Sequence, residues 1–156
     1  MFNQVKHPQN FKPMFNQVLV SAQEIKKPVW SRRCVSFCKK ILRYLRLDNC
    51  ELSVVFCSSD FMKSLNKKYR GKNEPTDILS FSQEENRLNG DIFISLEMLS
   101  ANSFTFAVTE EEELKRLLIH GILHLAGQDH TSNNRDEDML IQQEEILLKF
   151  SEEKVF

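Results

Sequence analysis

An α+β domain, one small mixed β-sheet with helices packed on it, is the fold this 156-residue chain predicts. Three observations point there. Short β-rich runs recur at 17–23, 52–57, 77–82 and 91–95. Stretches with apolar residues at helical spacing alternate with them. The last two β-runs follow each other with only a polar connection between them, which reads as a hairpin with a longer loop.

Taken in order, residues 1–16 look like an N-terminal extension, rich in amides and broken by Pro8 and Pro13. Met1-Phe-Asn-Gln-Val5 recurs there as Met14-Phe-Asn-Gln-Val18, too little for a repeat architecture. The single domain is expected at 17–156, opening with a strand at Gln17–Gln23. Pro28 sits where a helix begins, and Trp30, Cys34, Phe37, Ile41 and Leu45 give that helix its apolar stripe. Leu52–Cys57 is the second strand. Ser59 caps a short helix that turns Phe61, Met62 and Leu65 inward. Arg70 to Thr76 has too much Gly, Pro and Asn for a regular element. Asp77–Ser82 and Asp91–Ser95 make the hairpin, with Asn89-Gly90 closing its connection, and a short helix follows at Leu96–Ala101. Thr109 and Glu112 form a capping box, and four glutamates at 110–113 complement the helix dipole. That helix runs through Leu114, Leu117, Leu118 and Leu125 to Gly127, a residue suited to a left-handed C′ position. A last amphipathic helix is expected at Arg135–Phe150.

Composition excludes several classes of protein. At 41% hydrophobic and 28% charged the chain is globular rather than disordered. No apolar run approaches the roughly 20 residues of a membrane span. The N-terminus lacks the apolar core of a secretory signal, so a cytoplasmic location without a membrane partner is expected. Cys34, Cys38, Cys50 and Cys57 form no C-x-x-C motif and read as buried free thiols. Charge is polarised along the chain. Residues 26–72 carry 13 Lys/Arg against three acids, and residues 110–156 carry five against 12. Such asymmetry suits a polyanion on one face, or two solvated helix faces of opposite sign.

The chemistry lies in His120-Gly-Ile-Leu-His124-Leu-Ala-Gly127-Gln-Asp-His130. His120 and His124, four apart on a helix, project from one face. A turn at Gly127 brings His130 back toward them. Three imidazoles leave one position of a tetrahedral ion open, the pattern of a catalytic zinc site. Ni, Cu and Co also accept such a donor set. Asp129 either orients an imidazole through its second nitrogen or caps the turn. The spacing is that of the metzincin peptidases, whose general base is a Glu directly after the first His. Here that residue is Gly121, which disfavours their mechanism.

With these residues in view, the sequence resembles the YbeY family of bacterial rRNA-maturation endoribonucleases. The resemblance rests on the histidine block, on Leu65-Asn66-x-x-Tyr69-Arg70, on Pro75-Thr76-Asp77-Ile-Leu-Ser80-Phe81 and on Gly90-Asp91-Ile92, in that family's order over about residues 17–150. It implies a Zn2+ ion held by His120, His124 and His130, and activity on single-stranded RNA in 16S rRNA 3′-end processing and ribosome quality control. It also implies rRNA and ribosomal particles as partners, with no DNA. Arg70 matches an arginine important for activity, and its planar guanidinium suits a phosphate oxygen. Ser82, where a proline often follows Ser-Phe, departs from the pattern. The residues name no general base, so either water or the RNA 2′-hydroxyl remains as nucleophile. The competing expectations are a non-catalytic, zinc-stabilised ribosome-assembly factor and a metzincin-like peptidase.

Overall fold

The computed structural model describes residues 15–156, so the expected extension lies outside it apart from Phe15 and Asn16. Asn16 is stitched to the domain: its side chain donates to Leu47 O at 2.7 Å and accepts from Cys50 N at 3.0 Å. The elements follow as β1 (Gln17–Gln23), α1 (Ser31–Tyr44), β2 (Glu51–Cys57), α2 (Ser59–Arg70), β3 (Ile78–Ser82), β4 (Asn89–Ser95), α3 (Leu96–Phe106), α4 (Glu110–Leu125) and α5 (Asp138–Lys149). The four strands make one sheet in the order β1-β2-β4-β3. β1, β2 and β4 are parallel and β3 runs antiparallel to β4. The mixed sheet with helices packed on it is therefore present as expected.

Several boundaries differ from the sequence expectation. Helix α1 starts at Ser31, because Pro28 and Trp30 form the turn that precedes it. Helix α3 runs on to Phe106, and α5 begins at Asp138 rather than Arg135. Asn89-Gly90 ends the hairpin connection as expected, with Gln83 N donating to Asn89 O at 2.7 Å, but it is already the start of β4, paired with Glu51 and Leu52 of β2. The capping box of α4 is half formed. Thr109 Oγ1 accepts from Glu112 N at 3.1 Å, while the Glu112 carboxylate turns to Arg116 at 2.8 Å.

Period-two alternation in the hairpin decides what faces what. Ile78, Ser80 and Ser82 share register with Ile94, Ile92 and Gly90, on the face that α4 covers. Leu79 and Phe81 point the other way, where Leu79 is buried with Cys57 and Met62 under α2. On the α4 face a larger core joins β2 and β4 to α1, α4 and α5. Burying each of its leucines and isoleucines contributes about 1.5–3 kcal/mol. Helix α4 is central to that core, with ten of its 16 residues buried, so its position is held from several sides. Its approach to the sheet needs Gly121, where a Cβ would meet Ile92 Cδ1 at 2.6 Å. A Cβ at Gly90 would likewise lie 2.5 Å from Phe81 O and 2.7 Å from Leu125 Cδ2.

All four cysteines are buried free thiols, as expected. Burial pushes the Cys57 thiol up to about 12, which keeps it protonated and unreactive. Among the described residues, no helix is long and apolar enough to cross a membrane.

Candidate metal centre and its cleft

His120 and His124 project from successive turns at the C-terminal end of α4. The helix closes in a Schellman arrangement: Gly127 N donates to His124 O at 3.0 Å and Gln128 N to Leu123 O at 3.1 Å. Gly127 takes φ +92°, a conformation costly for any residue with a Cβ. The chain thereby reverses and brings His130 back. The three ring centroids lie 4.6, 5.1 and 5.2 Å apart, and one nitrogen from each ring falls within 4.8 Å of the others.

The second nitrogen of every ring is engaged. His120 Nδ1 lies 2.8 Å from Gln143 Oε1, His124 Nδ1 lies 3.0 Å from Gln128 O, and His130 Nδ1 lies 2.8 Å from Ser132 O. Two of these partners are backbone carbonyls, which only accept, so the imidazoles donate from Nδ1. Gln143 presents its oxygen to His120 because its amide nitrogen donates to Glu144 at 3.0 Å. Each neutral ring is left with its lone pair on Nε2. His120 Nε2 and His124 Nε2 then face each other at 3.0 Å with no proton to share, an arrangement that repels unless a cation sits near both. Two nitrogens on a tetrahedral zinc with bonds of 2.0–2.1 Å would lie about 3.3 Å apart. The donor set fits a metal ion.

Electrostatics favour the neutral forms of His120 and His124. Burial is the largest cause lowering the pKa values of His120 and His124, and the neighbouring imidazoles lower them further. Arg70 also lowers His124, so its charge reaches the centre. Asp129, by contrast, orients no ring. Its Oδ1 accepts from His130 N at 2.8 Å and stands 3.8 Å from His124 Nδ1, which caps the turn.

A cleft of roughly 950 Å³ opens over the three histidines and is also lined by Arg70, Lys72, Asp77, Ser80 and Ser82. Arg70 ends α2 and Gly71, at φ +70°, turns the chain away. Buried Asn66 donates to Glu74 O at 2.9 Å and so holds the following loop. Asp77 Oδ1 accepts from Ile78 N at 2.8 Å, and its Oδ2 accepts from Asn102 at 2.9 Å, which fixes the start of β3. Among the described residues, no side chain hydrogen-bonds or ion-pairs with the Arg70 guanidinium. All four residues singled out from sequence therefore border one cleft.

Sequence reasoning missed the groups behind the imidazoles. Gln143 had a readable signal: it is 6% exposed among the apolar residues Met139, Ile146 and Leu147 on the buried face of α5. The carbonyls of Gln128 and Ser132 had none, since every residue carries one. Gly121 was read only as a missing base. Its packing against Ile92 adds that a glutamate of the metzincin kind has no room there.

Comparison with known proteins agrees with this geometry. The family model described as Endoribonuclease YbeY matches residues 16–151. The Endoribonuclease YbeY of Treponema denticola is 42% identical over 133 residues, covering 80% of this chain and 86% of that protein. The Treponema pallidum (strain Nichols) protein of the same name is 41% identical over 141 residues, covering 85% and 88%. The solution structure of TM1509 from Thermotoga maritima superposes with a TM-score of 0.63 at 26% identity, over 87% of this chain and 91% of that one. Over residues 16–151, from the sheet through the histidine turn to the last helix, the chain belongs to the YbeY family of endoribonucleases.

Proposed function

We propose that this protein is a zinc-dependent, single-strand-specific endoribonuclease that acts in 16S rRNA 3′-end maturation and ribosome quality control. The observation that carries the reading is the convergence of three Nε2 lone pairs, each ring held at Nδ1 by an oxygen. His120, His124 and His130 are the proposed ligands. A zinc ion bound by these three imidazoles would supply a Lewis acid for the scissile phosphodiester and would lower the pKa of water.

The chain's own residues do the rest. The Arg70 guanidinium binds a phosphate oxygen with charge-assisted hydrogen bonds, and Lys72 adds positive charge at the same cleft. Lys63, Lys67 and Lys68 extend that charge along α2 for the RNA backbone. Tyr69, exposed and packed on Phe81 at 4.9 Å with Lys68 Nζ over its ring at 5.1 Å, places an aromatic ring and a cation together on that turn of α2.

The test is RNA cleavage by rigorously nuclease-free protein, comparing wild type, His124→Ala and Arg70→Ala at matched folding. The proposal expects wild type alone to cut at full rate. Equal cutting by all three would assign the activity to a contaminant. Binding of RNA by wild type without cleavage would favour a zinc-stabilised assembly factor. Elemental analysis of untagged protein identifies the metal, and a substrate with one 2′-deoxynucleotide at the cleaved position separates attack by water from attack by the 2′-hydroxyl.

A further inference from the structure

Helix α5 contributes no imidazole, yet hydrogen bonds lead from it to all three. Gln143 Oε1 takes His120 Nδ1 directly at 2.8 Å. One residue earlier, Gln142 Oε1 accepts from Gln128 Nε2 at 2.6 Å, and it is the Gln128 carbonyl that holds His124 Nδ1. Glu137, the N-cap residue of α5, accepts from Thr131 N and Oγ1 at 3.0 and 2.9 Å. It also accepts from Ser132 N and Oγ, both at 2.7 Å, and the Ser132 carbonyl holds His130 Nδ1. The helix itself is tied back to α4. Arg116 Nε donates to Glu144 at 3.0 Å, beside the Gln143 amide, while its other nitrogens bind Glu112 and Glu113.

We infer that α5 is the orienting element of the metal centre, with Glu137, Gln142 and Gln143 as positioning residues that each serve one histidine. The physical reason is the two-fold ambiguity of imidazole. A ring whose Nδ1 lacks a fixed acceptor can place its proton on Nε2, which removes the lone pair from the centre, or can rotate. Supports of this kind typically change metal affinity by about 10–100-fold. Gln143 acts through one hydrogen bond and has the largest effect. Glu137 and Gln142 act through a backbone segment and have smaller ones. The inference rests on the proposed ligand role of the three histidines, but its first readout needs neither metal nor RNA.

That readout is the imidazole nitrogen spectrum of the full-length, metal-free protein, taken by long-range 1H–15N correlation. Wild type is expected to show Nδ1–H on all three rings. Gln143→Leu should change His120 alone, Gln142→Leu His124 alone and Glu137→Ala His130 alone. In chelator competition, zinc affinity should fall about 10–100-fold for Gln143→Leu and less for the other two. The exchange Gln143→Glu with Glu144→Gln keeps the net charge and an oxygen toward His120, and should restore its tautomer. Unchanged tautomers and affinities in all three variants would reduce α5 to packing and overturn the inference. So would a change of all three rings in every variant, because that reports general loosening. If wild type binds no zinc, the ligand reading fails while the tautomer pattern still decides whether α5 orients the rings.

Discussion

On the histidine side of the cleft, each ring has one nitrogen engaged by an oxygen, and His120 and His124 sit on a helix with ten of 16 residues buried. On the other side, Arg70 ends an exposed, basic helical turn and no described side chain engages its guanidinium. The contrast matches what each group has to hold. A metal ion requires its donors within a few tenths of an ångström, so the donors are pre-set by burial and hydrogen bonds. A phosphate on a flexible strand arrives and leaves, and a free, always-charged guanidinium can follow it. The two sides should therefore fail differently when altered.

The sharpest separation comes from removing a proposed ligand. His124→Ala should abolish stable zinc binding and lower cleavage on the order of a thousandfold or more, since the Lewis acid at the phosphodiester is lost whichever nucleophile attacks. Metal content and cleavage rate measured on the same preparation check this, and a zinc-loaded but inactive variant would contradict it. Arg70→Ala should cost about 100- to 1,000-fold in cleavage, the scale for losing one donor to developing charge. Its zinc affinity should not fall below wild type, because the charge removed is positive and reaches His124, and its melting temperature should match wild type. A weakened metal site in that variant would mean the two sides are not separate.

Gly121→Ala tests the seat of α4. The added Cβ must displace Ile92, and such overpacking costs about 1–3 kcal/mol. For a chain of this size, a melting temperature lower by about 2–4 °C per kcal/mol is expected. No change would show that β4 yields easily and that the close approach is incidental.

The smallest effect concerns acid. Hydrogen bonds from Ser132, then from Thr131, hold the Glu137 carboxyl at about 2, below its usual 4.5. Because the folded value is the lower one, its contribution to the 131–137 segment is present above the ordinary carboxylate value and is lost as pH falls through about 2. Amide-exchange protection at Thr131 and Ser132, normalised to an exposed amide, should persist at pH 4. Its loss at that pH would mean the carboxylate is not pinned in solution.

Local patterns carried much of this into view before any tertiary contact. Helical spacing of His120 and His124, the reversal at Gly127 and the β-rich run of β3 each depend on neighbours a few residues away, and each is present in the fold. The weakest local readings were ones where a residue type has two uses. Asn89-Gly90 carries a turn signature, yet Gly90 is there because Phe81 O and Leu125 leave no space for a side chain. Thr109-x-x-Glu112 carries a reciprocal cap, yet Arg116 competes for the glutamate. Pro28 marks the turn before α1 rather than its first residue.

By itself, then, the sequence determined an α+β chain with three histidines placed to converge and an arginine beside a loop. Tertiary structure decided that Arg70 shares their cleft, that Gly121 is a contact with Ile92, and that α5 stands behind every imidazole. The difference is one of range. Spacing along a helix follows from its 3.6-residue turn, whereas the bond from His120 to Gln143 spans 23 residues and exists only once two helices have packed.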